Sequence, residues 1–218
     1  MLVFDLDDTL YLERDFAFSG YRFLDSLLTA RFGTTGFEAV CRELLDSGEK
    51  RVIDRALERI GMSGESELSS ELIAAYREHS PDISLLPDSV RCLQRHRNRE
   101  PLGLITDGLQ RTQAAKVKAL GLEKIIAHIC LTGSLGPGRG KPHPEAYRLM
   151  ERLGGPSTSY CYVADNPAKD FVTPKAMGWT TVQIIRLGAI HSPEAPDEDH
   201  AAHFKIESLD QLDALLAK

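Results

Sequence analysis

Polar side chains that could do chemistry stand at the ends of short apolar segments spread along the chain. A carboxylate inside such a segment is costly to bury unless it is paired, so a purely structural role is a poor explanation for Asp5. If the segments are strands of a parallel sheet, their carboxyl ends meet at one edge, where open α/β sheets place their sites. The residues concerned are Asp5, Asp7, Asp8, Thr106, Asp107, Lys141, Asp165, Asn166 and Asp170.

Carboxylates gathered at one edge of a sheet repel each other and raise each other's pKa values. A site that holds several ionised carboxylates therefore needs a cation. Magnesium is the natural candidate because it binds a few carboxylates together with waters and phosphate oxygens. Lys141 can add a fixed positive charge to the site. This combination suits an anionic substrate such as a phosphate ester, so the sequence predicts a magnesium site of that kind.

The elements that must bring these residues together are short apolar segments, rich in β-branched and aromatic residues, with helical segments between most of them. Such segments are typical of strands buried on both faces, and their alternation with helices indicates an α/β fold with a doubly wound parallel sheet. Strands are predicted at 2–6, 102–105, 125–131, 160–164 and 180–185, and helices at 88–97, 110–120, 144–153, 168–177 and 208–216.

One region interrupts this alternation. Between about Arg14 and Ser84 no convincing strand is found, and glycines separate four helical segments, predicted at about 15–32, 37–45, 50–60 and 67–79. In the first of them Tyr21, Leu24, Leu27 and Leu28 repeat at helical spacing and are predicted to form a core stripe. We interpret residues 14–84 as a helical-bundle insert, and residues 1–13 and 85–218 as the catalytic core.

Composition narrows the possible partners. The formal net charge is -6 and basic residues do not cluster, which argues against nucleic acid as the main partner. No apolar segment is long enough to cross a bilayer, which argues against a membrane protein. The first residues lack the basic region of a signal peptide, and the four cysteines form no C-x-x-C pair, so reduced, buried thiols and a cytoplasmic location are expected. The sequence does not indicate an oligomeric state.

Four segments, in order, resemble the motifs of the haloacid dehalogenase-like (HAD) superfamily. Asp5-Leu6-Asp7-Asp8-Thr9-Leu10 resembles the D-x-D-x-T-[LV] signature, and the insert lies where subfamily I has its helical type-1 cap. The resemblance covers nearly the whole chain. It departs from the family at Ala164, where glycine is usual, and at His143, where aspartate is frequent. The other three motifs are matched by Thr106, by Lys141, and by Asp165 with Asp170.

The resemblance implies a role for each of these residues. Asp5 is the expected nucleophile, forming an aspartyl-phosphate, and Asp7 the expected general acid and base. Thr106 and Lys141 are expected to bind phosphoryl oxygens. Asp107 is placed with them at the phosphate site, although for Asp107, as for Asp8, a structural or hydrogen-bonding role is also open. Magnesium is expected to be held by Asp5, the backbone carbonyl of Asp7 and Asp165, with Asp170 in support.

The predicted function is that of a magnesium-dependent phosphomonoesterase acting on a small, soluble phosphorylated metabolite, with the insert selecting substrates. A phosphomutase of the same family is an open alternative, because it would use Asp5 and Asp7 in the same way. A non-catalytic binding or regulatory protein on this scaffold is another. A dehalogenase is disfavoured, because cleavage of a carbon–halogen bond does not need the acid at Asp7.

Overall fold

The computed structural model describes residues 1–62, 66–155 and 159–216. At its centre lies a six-stranded sheet with the order β3-β2-β1-β4-β5-β6, in which all neighbouring strands are parallel. Helices flank this sheet, so the predicted doubly wound parallel fold is confirmed. The strands are β1 Leu2–Phe4, β2 Leu102–Thr106, β3 His128–Leu131, β4 Cys161–Ala164, β5 Thr180–Ile184 and β6 Phe204–Ile206.

The middle strands are buried along their whole length because the helices cover them. Every residue of β1, β2 and β4 is buried, which explains why these strands read as continuous apolar segments. The sequence did not predict β6, a three-residue edge strand whose first two residues are exposed. The third strand also begins later than predicted, at His128, because Leu122–Lys124 forms a 3-10 helix before it.

The first of two compact units contains the sheet and comprises Met1–Arg14 and Ser84–Lys218. Within it the backbone N–H of Leu86 donates to the carbonyl of Leu10 (3.0 Å), so the chain leaves and re-enters this unit at neighbouring points. Gly121 and Gly178 have positive φ (66° and 80°) after helices, as expected for residues past a helix end. The helices of this unit are α5 Pro87–His96, α6 Gln110–Ala119, α7 Glu145–Gly154, α8 Val172–Ala176 and α9 Leu212–Leu216.

Two helices of this unit begin later than predicted. The segment before α8 is instead a turn, in which the carbonyl of Asn166 accepts from the backbone N–H groups of Lys169 and Asp170. The segment before α9 is a 3-10 helix, Leu209–Gln211, capped by Ser208. The four cysteines are buried free thiols, as predicted.

The second unit, Asp15–Ile83, packs around its own apolar core. Tyr21, Leu24 and Leu28 lie in this core, but Leu27 is 39% exposed, so its predicted place in the core stripe is wrong. Among the described residues, no helix has the length and hydropathy needed to cross a membrane. The helices are α1 Glu13–Phe32, which starts in the first unit, α2 Phe37–Asp46, α3 Val52–Arg59 and α4 Ser66–Glu78.

Candidate active site

The turn after β1 holds Asp5 at the end of the strand. The backbone N–H of Asp5 donates to the carbonyl of Val163 (2.9 Å), which continues the pairing of β1 with β4. Asp8 is fully buried, has a positive φ of 50°, and accepts from the backbone N–H groups of Glu13 and Ile190 (2.8 Å each). These bonds compensate for the unfavourable conformation and fix the turn, so Asp8 is occupied in holding the backbone around Asp5.

Lys141 bridges two acids of the site. Its Nζ lies 2.7 Å from Oδ1 of Asp5 and 2.7 Å from Oδ1 of Asp170, and it donates to the hydroxyl of Tyr162 (3.1 Å). Its side chain has no exposed area. Burial alone would lower the pKa of Lys141, but the two carboxylates outweigh it and raise that pKa well above its usual value. Lys141 is therefore a fixed cation beside Asp5.

The loop that carries Lys141 is held by Asp107. Both carboxylate oxygens of Asp107 accept from the backbone N–H of Lys141 (3.1 Å), and Oδ1 also accepts from the hydroxyl of Thr132 (2.6 Å). Nζ of Lys169 lies 3.7 Å from Oδ2 of Asp107. These contacts are those of a residue that positions the loop, in line with the structural or hydrogen-bonding role that is open for Asp107.

Three buried carboxylates form a cluster beside this lysine. One oxygen each of Asp5, Asp165 and Asp170 lies within 4.8 Å of the others. Burial, then the charges of Asp5 and Asp170, raise the pKa of Asp165 to about 9. Burial raises the pKa of Asp5 to about 6, although Lys141 opposes this shift. The cluster thus has more negative charge than its lysine offsets, and its oxygen donors fit a hard divalent cation such as magnesium. Oδ2 of Asp170 accepts from the backbone N–H of Asn166 (3.1 Å), which suits the supporting role predicted for Asp170.

The side chain of Asp7 has a different environment. Its Oδ1 lies 2.7 Å from Nζ of Lys116 and accepts from the hydroxyl of Tyr11, and its Oδ2 accepts from Nε2 of Gln113 (2.9 Å). Burial would raise the pKa of Asp7, but the charge of Lys116 and these hydrogen bonds outweigh it and lower that pKa. Nε2 of Gln113 also donates to Oγ1 of Thr106, at the end of β2. The structure thus places the predicted site residues of three motifs around Asp5 and Asp7.

The family model of haloacid dehalogenase-like hydrolases matches residues 1–178. The chain belongs to this family. Similar proteins include glyceraldehyde 3-phosphate phosphatase from Methanopyrus kandleri, 29% identical over 219 residues, which cover 94% of this chain and 92% of the relative. Phosphoserine phosphatase from Thermus thermophilus is 31% identical over 173 residues, which cover 78% of this chain and 68% of that protein.

Solved structures of this haloacid dehalogenase-like family share the fold. The 2-haloacid dehalogenase from Pseudomonas syringae pv. Tomato is similar with a TM-score of 0.64 over 99% of this chain and 97% of that chain. The sequence identity is 24%, so this likeness shows the common fold and does not indicate a common reaction.

The structure accommodates both departures from the haloacid dehalogenase-like motifs. Ala164 ends β4 and is fully buried, and it is not among the described residues with positive φ, so its methyl group meets no backbone penalty. Nδ1 of His143 accepts from the backbone N–H of Glu145 (3.3 Å) at the start of α7. An aspartate there could accept the same bond, so His143 can replace it without losing this contact.

Sequence reasoning missed two residues of this haloacid dehalogenase-like site, Gln113 and Lys116. Both are buried on α6, at 2% and 4% exposure. A signal was present, because Gln113 and Lys116 have the helical spacing of the buried Val117 and Leu120 that follow them. Two polar residues on the same helix face as buried apolar residues indicate that they have polar partners inside the protein.

Proposed function

We propose that this protein is a phosphomonoesterase that transfers the phosphoryl group of a small phosphate ester first to Asp5 and then to water. The observation that carries this proposal is the buried ion pair between Asp5 and Lys141, set in the cluster with Asp165 and Asp170. An ionised carboxylate with a fixed cation beside it is a nucleophile prepared to approach an anion. The names of the two curated relatives support the same reaction class.

In the first step an oxygen of Asp5 attacks phosphorus while the bond from phosphorus to the leaving oxygen breaks. The leaving oxygen takes a proton from Asp7 and departs as an alcohol. In the second step water attacks the aspartyl-phosphate, Asp7 accepts a proton from the water, and the bond between phosphorus and Asp5 breaks. Lys141 and the Thr106 hydroxyl bind the phosphoryl oxygens. Proton transfer of this kind is worth about 10²–10⁴-fold in rate.

The protonation of Asp7 must alternate between these steps. The pairing with Lys116 lowers the pKa of Asp7 and favours its ionised form, which is the form that accepts a proton in the second step. A phosphate ester bound nearby adds negative charge, which favours the protonated form needed in the first step. The arriving substrate thus helps to prepare Asp7 as an acid.

We propose magnesium as the cofactor, held by Asp5 and Asp165 with Asp170 in support and with the backbone carbonyl of Asp7. When bound, the ion offsets negative charge on the carboxylates and on the phosphoryl oxygens. The raised pKa of Asp165 supports this assignment, because burial and the charges of Asp5 and Asp170 disfavour a further negative charge there unless a cation offsets it.

Asp165→Asn is expected to weaken magnesium binding at least about tenfold, since one anionic ligand is lost. Isothermal titration calorimetry with magnesium alone measures this directly. Without magnesium, the variant should melt at the same temperature as the unmodified protein or higher, because the substitution removes an acid from a crowded cluster. Asp199→Asn, in an exposed loop, is the matched control and should bind magnesium normally. Unchanged binding by Asp165→Asn would exclude Asp165 as a ligand.

The function is tested by release of inorganic phosphate in the presence of magnesium. The panel should include glyceraldehyde 3-phosphate and phosphoserine, which the names of the relatives suggest, together with other small phosphate esters. We expect release without any bisphosphate activator. Activity that requires a bisphosphate would indicate a phosphomutase instead, and binding of magnesium with no turnover of any ester would favour a non-catalytic protein.

We propose that the first unit, Met1–Arg14 with Ser84–Lys218, is the catalytic core, because all seven predicted site residues lie in it. The second unit, Asp15–Ile83, would then be the cap that selects substrates, as in the family that the chain resembles. This assignment is supported by the helical content and separate core of the second unit.

A further inference from the structure

Helix α6 turns two buried polar side chains toward Asp7. Gln113 and Lys116 are three residues apart, so they share one face of the helix, and they are 2% and 4% exposed. A buried amide or ammonium group costs free energy unless it has partners. Apolar residues at these positions would pack against the sheet at no such cost, so packing alone does not account for Gln113 and Lys116.

Their contacts hold both oxygens of one carboxylate. Nζ of Lys116 lies 2.7 Å from Oδ1 of Asp7, and Nε2 of Gln113 lies 2.9 Å from Oδ2. A carboxylate held at each oxygen by donors from the same helix face cannot rotate freely about its Cβ–Cγ bond. Together with the Tyr11 hydroxyl, which also donates to Oδ1, α6 therefore fixes the direction in which Asp7 can give or take a proton.

Gln113 also determines the direction of a hydroxyl group in a second motif. Its amide nitrogen carries two hydrogens, and one of them goes to Asp7 and the other to Oγ1 of Thr106. Because Thr106 accepts this bond, its own proton points away from Gln113 and remains available for an anion. The turn after β2 leaves room for this amide, since a Cβ on Gly108 would lie 3.2 Å from Cγ of Gln113.

We propose that Gln113 and Lys116 are positioning residues of the phosphoryl-transfer reaction. Both orient the Asp7 carboxylate for proton transfer to the leaving oxygen, and Gln113 also orients the Thr106 hydroxyl toward the phosphoryl group. This inference rests on the proposed phosphatase function. It assigns to α6 a role that the four motifs do not include.

The leaving group provides the test. The leaving oxygen of an alkyl phosphate needs a proton to depart as an alcohol. Acetyl phosphate releases acetate, which is a weak base and depends much less on proton transfer from Asp7. Lys116→Met is expected to lower kcat/KM for glycerol phosphate or the best alkyl phosphate of the panel by about 10²-fold, and for acetyl phosphate by less than about threefold. Gln113→Met is expected to lower kcat/KM for both the alkyl phosphate and acetyl phosphate, because the Thr106 hydroxyl also loses its hydrogen bond from Gln113.

A double-mutant cycle separates positioning from general structural support. In an Asp7→Asn background, Lys116→Met should lower the residual kcat/KM for the alkyl phosphate by no more than about twofold, since its effect passes through Asp7. Gln113→Met should still cause a further loss through Thr106. Lys116→Arg, which keeps a cationic donor, should restore part of the alkyl phosphate activity. Gln110→Met and Lys118→Met, exposed on the same helix, are the matched controls and should behave as the unmodified protein.

Circular dichroism and melting temperature establish that each variant is folded, and Lys116→Gln replaces Lys116→Met if the latter does not fold. Equal losses on both esters for the Lys116 variant, or a full additional loss in the Asp7→Asn background, would overturn the inference. If the unmodified protein releases phosphate from no ester at all, the proposed function fails and the inference fails with it. If the unmodified protein releases phosphate but the Lys116 variant loses equal activity on both esters, only the positioning role is refuted.

Discussion

Asp5→Asn is expected to lower kcat by on the order of 10⁴-fold or more, as loss of a covalent nucleophile does elsewhere. The amide of asparagine cannot form the phosphoryl-enzyme, so both displacement steps are lost. The protein should remain folded, because Lys141 keeps its 2.7 Å ion pair with Asp170 when the charge of Asp5 is removed. Steady-state phosphate release and acid-quench trapping of the phosphoryl-enzyme measure the two parts of this prediction.

The matched control for this substitution is again the exposed Asp199→Asn, which should leave kcat unchanged. Mass spectrometry must exclude deamidation of the introduced asparagine back to aspartate before residual activity is interpreted. Near-normal turnover by a homogeneous preparation of the Asp5→Asn variant would refute Asp5 as the nucleophile. It would also contradict the proposal that Lys141 prepares Asp5 for attack on an anionic substrate.

The second large effect is expected for a residue outside the active site, Asp88, and concerns the free energy of unfolding. Asp88 on α5 is buried, and its Oδ2 lies 2.6 Å from Nη1 of Arg186 and accepts from the backbone N–H of Leu209 (2.8 Å). Arg186 in turn donates to the carbonyl of Thr9 in the turn after β1 (2.7 Å). Asp88→Ala would leave Arg186 buried without its carboxylate and is expected to cost about 3–5 kcal/mol in the free energy of unfolding, measured by urea denaturation.

This stabilisation should depend on pH in one direction. Burial would raise the pKa of Asp88, but Arg186 and the backbone N–H of Leu209 outweigh it and lower that pKa below its unfolded value. The contribution is therefore complete above the unfolded pKa, near 4, and is lost as the pH falls through the folded pKa. The difference between the unmodified protein and Asp88→Ala should shrink in acid. Asp210→Ala, which breaks exposed ion pairs with Arg91 and Arg95, should cost much less, because exposed pairs contribute little to stability. Equal effects of the two substitutions would contradict the importance of burial.

The sequence predicted correctly those elements whose pattern has few structural explanations, such as strands buried on both faces. The strands β1, β2 and β4 are buried on both faces, so their apolar character is uninterrupted and easily recognised. An acid such as Asp5 that directly follows a strand of this kind is conspicuous. The edge strand β6 carries no such signal, because its Phe204 and Lys205 are exposed and only three residues pair.

Other features depend on three-dimensional orientation. Gln113 and Lys116 on α6 are common residues for a helix surface, and their role is visible only once the face that α6 turns toward the sheet is known. Asp107 illustrates the reverse case. It follows Thr106 directly in the second motif, yet its carboxylate is used to hold the backbone of Lys141. Position in a motif predicts proximity to the site more reliably than it predicts which group a side chain contacts.

The hydrogen bond from Leu86 to Leu10 has a consequence for how this chain can diverge. The core holds the two ends of the inserted unit beside each other by its own backbone contact. The entropy of closing a chain segment grows only slowly with its length, by about 0.6 kcal/mol for each doubling. The entropic cost that closing the insert adds to the folding of the core therefore depends only weakly on the length of the insert. Segments of quite different length and sequence can be exchanged at this junction while the acids at the end of β1 stay in place, so the fold is suited to acquiring new inserts one at a time.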